Sequence, residues 1–306
     1  MTYNANPLMY MTLQKDNISP YIIGTMRLGT WGSNLSTPEY ESFIESCLDL
    51  GLIDFDHADI YGHYTTEEDF GNVLKSRKDL RQKIRITTKC GIKLISENRP
   101  SHLIKSYDLT PEHIEASVEK SLKSLHTDYL DVLLLHRPDY LFNPYEIAEV
   151  FSKLKKEGKV LTFGVSNFSP SQFDLLNSLT PLITNQVEIS LLHRNAFEDG
   201  TLDQCQKLKV IPSAWSPLGG GLLFGDSFDK KIQAIQKVLA GLSEKYNAAA
   251  DQILYAWLRK HPSGIIPVLG TSKIERIQAA HKALNISLTH EEWYQLWEAS
   301  LGREID

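Results

Sequence analysis

Short apolar runs alternate with longer amphipathic segments along almost the whole chain, and this alternation constrains the fold more than any other feature. The run LDVLLL at 130–135 is nearly unbroken in apolar character, which is typical of strands buried on both faces of a parallel sheet. Eight runs have the length and composition of strands, at 21–24, 53–56, 84–89, 130–135, 161–165, 182–187, 210–215 and 264–268.

Helical patterns separate these runs and predict parallel strands joined by crossover helices. They lie at 38–50, with Thr37 as N-cap, and at 67–76, 111–125, 144–157, 170–177, 229–246, 248–260, 274–284 and 290–299. Eight strand–helix units favour a closed (β/α)8 TIM barrel over an open doubly wound sheet. An open sheet usually carries G-x-G-x-x-G after its first strand, whereas 24–29 reads GTMRLG.

The length of 306 residues by itself suggests two domains. The run of strand–helix units instead predicts a single α/β domain over 1–306, with a short N-terminal β-hairpin cap and an extra C-terminal helix.

Composition narrows the function class, because a net charge of −6 argues against non-specific nucleic-acid binding. The N-terminal residues lack a signal-peptide pattern and no stretch is apolar enough to span a membrane, so we expect a cytoplasmic protein without a membrane partner. Three cysteines without C-x-x-C spacing (Cys47, Cys90 and Cys205) predict buried thiols rather than disulfides or a zinc site.

A polar residue follows nearly every predicted strand, and in a parallel barrel such residues converge on the C-terminal mouth, where active sites are built. Taken singly, Asp56 could cap a helix, Lys89 could be solvated and His136 could be a core histidine. Their joint occurrence favours a site. The irregular segment 91–108 follows the third strand and is either a functional lid at this mouth or a tolerated surface insertion.

The sequence resembles the aldo-keto reductase superfamily and, within it, the bacterial YdhF-like branch. The resemblance covers 22–280 and rests on DHADIYG at 56–62, TTK at 87–89, LHRPD at 135–139, GVSNF at 164–168, NQVE at 185–188 and WSPLG at 215–219. The branch rests on GTMRLG at 24–29 and LLHR at 191–194. The resemblance implies a barrel that binds NADPH without a Rossmann fold.

Carbonyl reduction assigns a role to each of four residues. Tyr61 would be the general acid, Lys89 would lower the pKa of Tyr61, and Asp56 would pair with Lys89. His136 would donate a hydrogen bond to the substrate carbonyl. His57 is a rival histidine, but strand alternation points it to the opposite face.

The resemblance and the residue chemistry also predict the cofactor site. The amide and hydroxyl side chains after the fifth and sixth strands suit a nicotinamide carboxamide, and Trp215 either stacks on the ring or belongs to the core. Lys273 and Arg276, at a helix start, suit a 2′-phosphate and favour NADPH over NADH. Ala279 and Ala280 depart from the family pattern for adenine contacts. The predicted cofactor residues are Gly24, Thr25, Met26, Ser166, Asn167, Gln186, Trp215, Ser216, Pro217, Leu218, Gly219, Gly270, Thr271, Ser272, Lys273 and Arg276.

The predicted function is therefore NADPH-dependent reduction of small aldehydes or ketones by a monomer or weak oligomer that needs no metal. Trp31 and Tyr64 suggest an apolar or aromatic substrate pocket. The same four residues are compatible with a catalytically weak cofactor-binding regulatory subunit, similar to potassium-channel β subunits. A metal-dependent barrel hydrolase is disfavoured because no H-x-H pair occurs.

Overall fold

A closed barrel of eight parallel strands organises the molecule, as a computed structural model that describes residues 19–305 shows. Consecutive barrel strands are neighbours, and the first pairs with the last through Ile22 and Val268. This confirms the predicted (β/α)8 architecture. The strands are β1 (Ile22–Gly24), β2 (Asp54–Asp56), β3 (Arg85–Cys90), β4 (Leu130–Leu135), β5 (Val160–Ser166), β6 (Asn185–Glu188), β7 (Ser213–Trp215) and β8 (Ile266–Leu269).

Helices surround the barrel, and most of them begin at a capping residue that the sequence supplies. Ser169 accepts from the backbone N–H of Gln172 at the start of one of them. The first helix corrects a prediction: Ser36 rather than Thr37 is its N-cap, and the Ser36 N–H donates to the Glu39 carboxylate at 2.8 Å. The principal helices are α1 (Thr37–Asp49), α2 (Thr66–Ser76), α3 (Pro111–Ser124), α4 (Pro144–Lys156), α5 (Pro170–Asn177), α6 (Thr201–Leu208), α7 (Lys230–Tyr246), α8 (Ala250–Arg259), α9 (Ile274–Lys282) and α10 (His290–Leu301).

Shorter elements complete the fold. Helical turns lie at Tyr61–Tyr64, Asn195–Glu198, Lys78–Leu80, Gly219–Gly221 and Ala283–Asn285. Helix α6 and the antiparallel pair Ile92–Lys93 with Ser106–Tyr107 were not predicted. The pair folds segment 91–108 into a hairpin over the barrel mouth. Helix α10 is the expected extra C-terminal helix, whereas the predicted N-terminal β-hairpin cap lies outside the described residues.

Alternation along β2 and β3 decides which side chains face the barrel axis. Asp56 and Lys89 point inward, while Thr88 points outward toward α2 and α3. All three cysteines are buried and free, as predicted. Within 19–305, no helix combines the length and the apolar character that a bilayer-spanning segment needs.

Candidate active site

Three of the predicted catalytic residues form one hydrogen-bonded group at the mouth of the barrel. The Lys89 Nζ donates to Asp56 Oδ2 at 2.6 Å, to the His57 carbonyl oxygen at 2.8 Å and to Tyr61 Oη at 3.0 Å. Lys89 is only 1% exposed, so its three donors are fully used inside the protein. The ammonium group is thereby held in one position beneath the Tyr61 hydroxyl.

Burial and charge act in opposite directions on this group. Burial alone would lower the pKa of Lys89, but the Asp56 carboxylate and Tyr61 outweigh it and raise that pKa above its usual value. Burial raises the pKa of Tyr61, and Lys89 lowers it without fully offsetting the rise. The expected lowering of the Tyr61 pKa is therefore wrong as a net result, because desolvation of the phenolate is the larger effect.

His136 lies on the far side of the Tyr61 ring, with the ring centroids 6.0 Å apart. Burial lowers the pKa of His136 well below its usual value, and the charge of Lys89 adds to the effect, so the ring is neutral at pH 7. Within 19–305 no residue forms a hydrogen bond with the His136 ring, and its Nδ1 is buried without a partner. His57 instead faces outward, with its ring 4.5 Å from that of Phe70, and is excluded from the barrel mouth as predicted.

A cavity of about 630 Å³ opens above these residues, within the usual size range of small-molecule sites. Tyr61, His136 and Trp31 line one end of it, and Arg276 lines the cavity together with residues of the β7 and β8 loops. Most predicted cofactor residues line the same cavity: Gly24, Met26, Ser166, Asn167, Gln186, Trp215, Ser216, Pro217, Leu218, Gly270, Thr271 and Arg276.

Four predicted cofactor residues and the predicted pocket residue Tyr64 do not line the cavity. The Thr25 hydroxyl turns into the core, where it donates to the Asp56 carbonyl oxygen at 3.0 Å. The Gly219 backbone packs against Leu192, where an added Cβ would lie 3.0 Å from a side-chain carbon.

Ser272 and Lys273 lie just before helix α9. Ser272 hydrogen-bonds Ser33 across two loops, and the Lys273 side chain is exposed. Tyr64 also leaves the pocket: its Oη accepts from the Leu94 N–H at 2.8 Å and so anchors the hairpin segment. Neighbouring residues in a tight turn point in different directions, which explains why these five lie beside the cavity and not on its wall. Their roles in cofactor or substrate binding stay predictions.

A polar network prearranges the wall next to the Tyr61 group. Asn167 has a left-handed backbone at φ 62°, a conformation that asparagine tolerates better than most residues. Its Oδ1 accepts from Trp215 Nε1 at 3.0 Å, and its Nδ2 donates to Ser166 Oγ at 2.7 Å. Gln186 Nε2 donates to Asp56 Oδ1 at 3.0 Å. The indole is therefore fixed at the cavity wall rather than packed in the core.

Several residues of the cavity wall are not among the predicted site residues. Arg137 follows His136 directly, so its place after β4 was a signal that could have found it. Lys105 and Tyr107 come from the hairpin, and Asp251 and Tyr255 come from helix α8. No local pattern marks these four. The other missed lining residues are Arg27, Ile60, Ile92, Gly220, Gly221, Phe224 and Val268.

Comparison with known proteins identifies the family of the chain. The model of the Aldo/keto reductase family matches residues 20–300. The chain belongs to the aldo/keto reductase family. The chain is 46% identical to the uncharacterized oxidoreductase YcsN of Bacillus subtilis, over 94% of this chain and 96% of that protein. It is 45% identical to the oxidoreductase YdhF of Escherichia coli, over 95% and 97% of the two chains.

A more distant relative and two solved structures extend the comparison of this aldo/keto reductase. The 6-dehydroglucose reductase of Agrobacterium fabrum is 41% identical, over 95% of this chain and 97% of that protein. The glycerol dehydrogenase structure from Gluconobacter oxydans has a TM-score of 0.82 at 26% identity, covering 94% of each chain. A Klebsiella pneumoniae aldo/keto reductase in complex with NADP and acetate has a TM-score of 0.73 at 26% identity, covering 91% of this chain and 90% of that one.

Proposed function

We propose that this oxidoreductase reduces small aldehydes or ketones to alcohols with NADPH, and that Tyr61 is the general acid. One observation carries the proposal: the Tyr61 hydroxyl lines the cavity while its oxygen accepts from the buried Lys89 Nζ at 3.0 Å. A phenol in this position can give its proton to an oxygen in the cavity. The ammonium group then stabilises the phenolate that remains.

The donor set along the cavity fits a nicotinamide dinucleotide. Gly220, Gly221 and Gly270 line it, and an added Cβ at any of them would meet nothing within 4 Å, which leaves open space beside the backbone. Arg276 lines the same cavity and offers a guanidinium to a phosphate. Trp215 lines the same cavity and offers the flat face of its indole to a nicotinamide ring. The NADP of the Klebsiella relative supports the same choice.

Bound NADPH would supply a hydride to the substrate carbonyl carbon. The chain itself handles the proton and the orientation. The raised pKa of Tyr61 keeps the phenol protonated at neutral pH, which is the form a reduction requires. The neutral His136 ring has an unused N–H for the substrate oxygen, and Asp56 keeps Lys89 charged.

The variant Tyr61→Phe tests this role, because it removes one hydroxyl and keeps the ring. We expect turnover to fall by about 10²–10⁴-fold, the usual contribution of a general acid, with NADPH affinity largely unchanged. Turnover is followed by NADPH absorbance with a panel of aldehydes and ketones, and affinity by quenching of tryptophan fluorescence. Tyr145→Phe, at an exposed tyrosine (66%) outside the cavity, is the matched control.

Three outcomes are distinguishable. Near wild-type turnover in Tyr61→Phe would show that another group donates the proton. Tight NADPH binding by the wild type with no turnover of any carbonyl compound would favour the regulatory subunit. Faster turnover with NADH than with NADPH would contradict the cofactor choice.

A further inference from the structure

The end of the cavity near His136 carries positive charge that no carboxylate neutralises. Lys105 and Arg137 both line this cavity, and neither forms a salt bridge with any residue in 19–305. Arg27 also lines it, but its Nη1 donates to the Trp31 carbonyl oxygen at 3.0 Å. Lys105 and Arg137 differ from Arg27 in that neither donates a hydrogen bond to any residue in 19–305, so all their donors remain available in the cavity.

The two carboxylates that line the described part of the cavity are committed elsewhere. Asp56 accepts from Lys89 at 2.6 Å and from Gln186 at 3.0 Å. Asp251, in helix α8, accepts from the Gln252 N–H at 2.9 Å. Neither carboxylate pairs with the two free cations.

The fold brings the two cations to the same cavity from separate loops. Arg137 follows His136 at the end of β4, and its guanidinium carbon lies 5.5 Å from the Trp215 ring centroid. Lys105 directly precedes the second strand of the hairpin, whose pairing of Ile92 with Tyr107 holds it over the mouth. His136 lines the same cavity as both cations, and their charges add to the lowering of its pKa, of which burial is the main cause.

We propose that Lys105 and Arg137 bind oxygen atoms at the end of the substrate away from the reacting carbonyl. The preferred substrate is then a carbonyl compound that bears carboxylate or hydroxyl oxygens a few bonds away, not a plain alkanal. An ammonium and a guanidinium form charge-assisted hydrogen bonds with such oxygens, whereas an alkyl chain would cover them without offering an acceptor. This inference rests on the proposed carbonyl reduction and replaces the apolar pocket expected from Trp31 and Tyr64.

Two pairs of aldehydes with equal carbon number test the inference. Succinic semialdehyde is compared with butanal, and glyceraldehyde with propanal, in the wild type, Lys105→Met and Arg137→Met. The variants keep the length of the side chain and remove its charge. Lys93→Met is the matched control, since Lys93 lies in the same hairpin, pairs with Asp108 and is outside the cavity.

We expect the wild type to favour at least one oxygen-bearing aldehyde over its plain partner. In each of the two cavity variants, kcat/KM for that substrate falls roughly tenfold or more, mostly through KM, as expected for a lost charged hydrogen bond. The kcat/KM values for butanal and propanal and the KM for NADPH change less than about threefold. A loss confined to succinic semialdehyde identifies a carboxylate as the recognised group, and a loss confined to glyceraldehyde identifies hydroxyls.

The inference is overturned if the wild type prefers the plain aldehydes, or if both variants change all four substrates alike. Either result leaves carbonyl reduction intact. Absence of turnover with every aldehyde would instead refute the proposed function and this inference with it. Arg137→Lys adds a further check, because a lysine there should recover part of the lost selectivity.

Discussion

A buried carboxyl group behind the active site predicts an unusual dependence of stability on pH. Glu67 in helix α2 is 5% exposed, and its carboxyl accepts from Thr88 Oγ1 at 2.5 Å and from Ser121 Oγ at 3.0 Å. Burial raises its pKa from 4.5 to about 7, although these hydrogen bonds act against the rise. The variant Glu67→Gln replaces a titrating group with a neutral one of nearly the same shape.

The sign follows from proton binding. Between pH 4.5 and 7 the unfolded chain loses the Glu67 proton while the folded chain keeps it, so the free energy of unfolding falls as pH rises. A pKa shift of this size lowers the free energy of unfolding by about 3 kcal/mol in total. Roughly 2 kcal/mol of that loss occurs between pH 5.5 and pH 8. Burial and Glu67 also raise the pKa of Asp59, so removing the Glu67 charge changes stability in the same direction.

The difference in the free energy of unfolding, Glu67→Gln minus wild type, should therefore be about 2 kcal/mol larger at pH 8 than at pH 5.5. Urea unfolding at both pH values, analysed with a common slope, measures this double difference. Glu68→Gln, at the exposed next position of the helix, should show a double difference below about 0.5 kcal/mol. A similarly small or opposite value for Glu67→Gln would refute the assignment of a raised pKa.

Three further variants compare effects on stability with effects on catalysis. Asp131→Ala removes the partner of Arg81, at 2.7 Å and far from the barrel mouth, and should lower the free energy of unfolding in urea by about 3 kcal/mol while kcat of the folded enzyme stays unchanged. A fall in kcat would contradict this separation. Gly62→Ala places a Cβ 2.5 Å from a threonine hydroxyl at φ 58°, and should lower both the melting temperature and kcat because the neighbouring Tyr61 shifts. Gly158→Ala, at φ 72° with open space around it, should cost about 1 kcal/mol or less and leave kcat unchanged; equal effects of the two glycine variants would argue against the steric reasoning.

Local sequence pattern alone was sufficient to predict the barrel and the polar residues that meet at its mouth. Strand-length apolar runs separated by capped helices predict the barrel, because each βα unit buries its own apolar face in the same way. The parallel strands then bring Asp56, Lys89 and His136 to one mouth, wherever the surrounding loops lie. Helix and strand boundaries differed from the prediction by only a few residues at most elements, as at the first helix, where Ser36 replaces Thr37 as the cap.

Only the tertiary structure decided how side chains point and what surrounds them. Thr25 and Tyr64 stand next to cavity residues in sequence, yet backbone turns direct both hydroxyls to other partners. The net rise in the Tyr61 pKa depends on burial by several distant segments, which no spacing rule contains. Lys105 and Arg137 line the same cavity because the hairpin after β3 and the loop after β4 both reach it. Strand alternation depends only on near neighbours in sequence, whereas desolvation and loop contacts depend on the whole fold. The sequence therefore determined which side chains lie at the barrel mouth, and the tertiary structure determined their pKa shifts and the cavity around them.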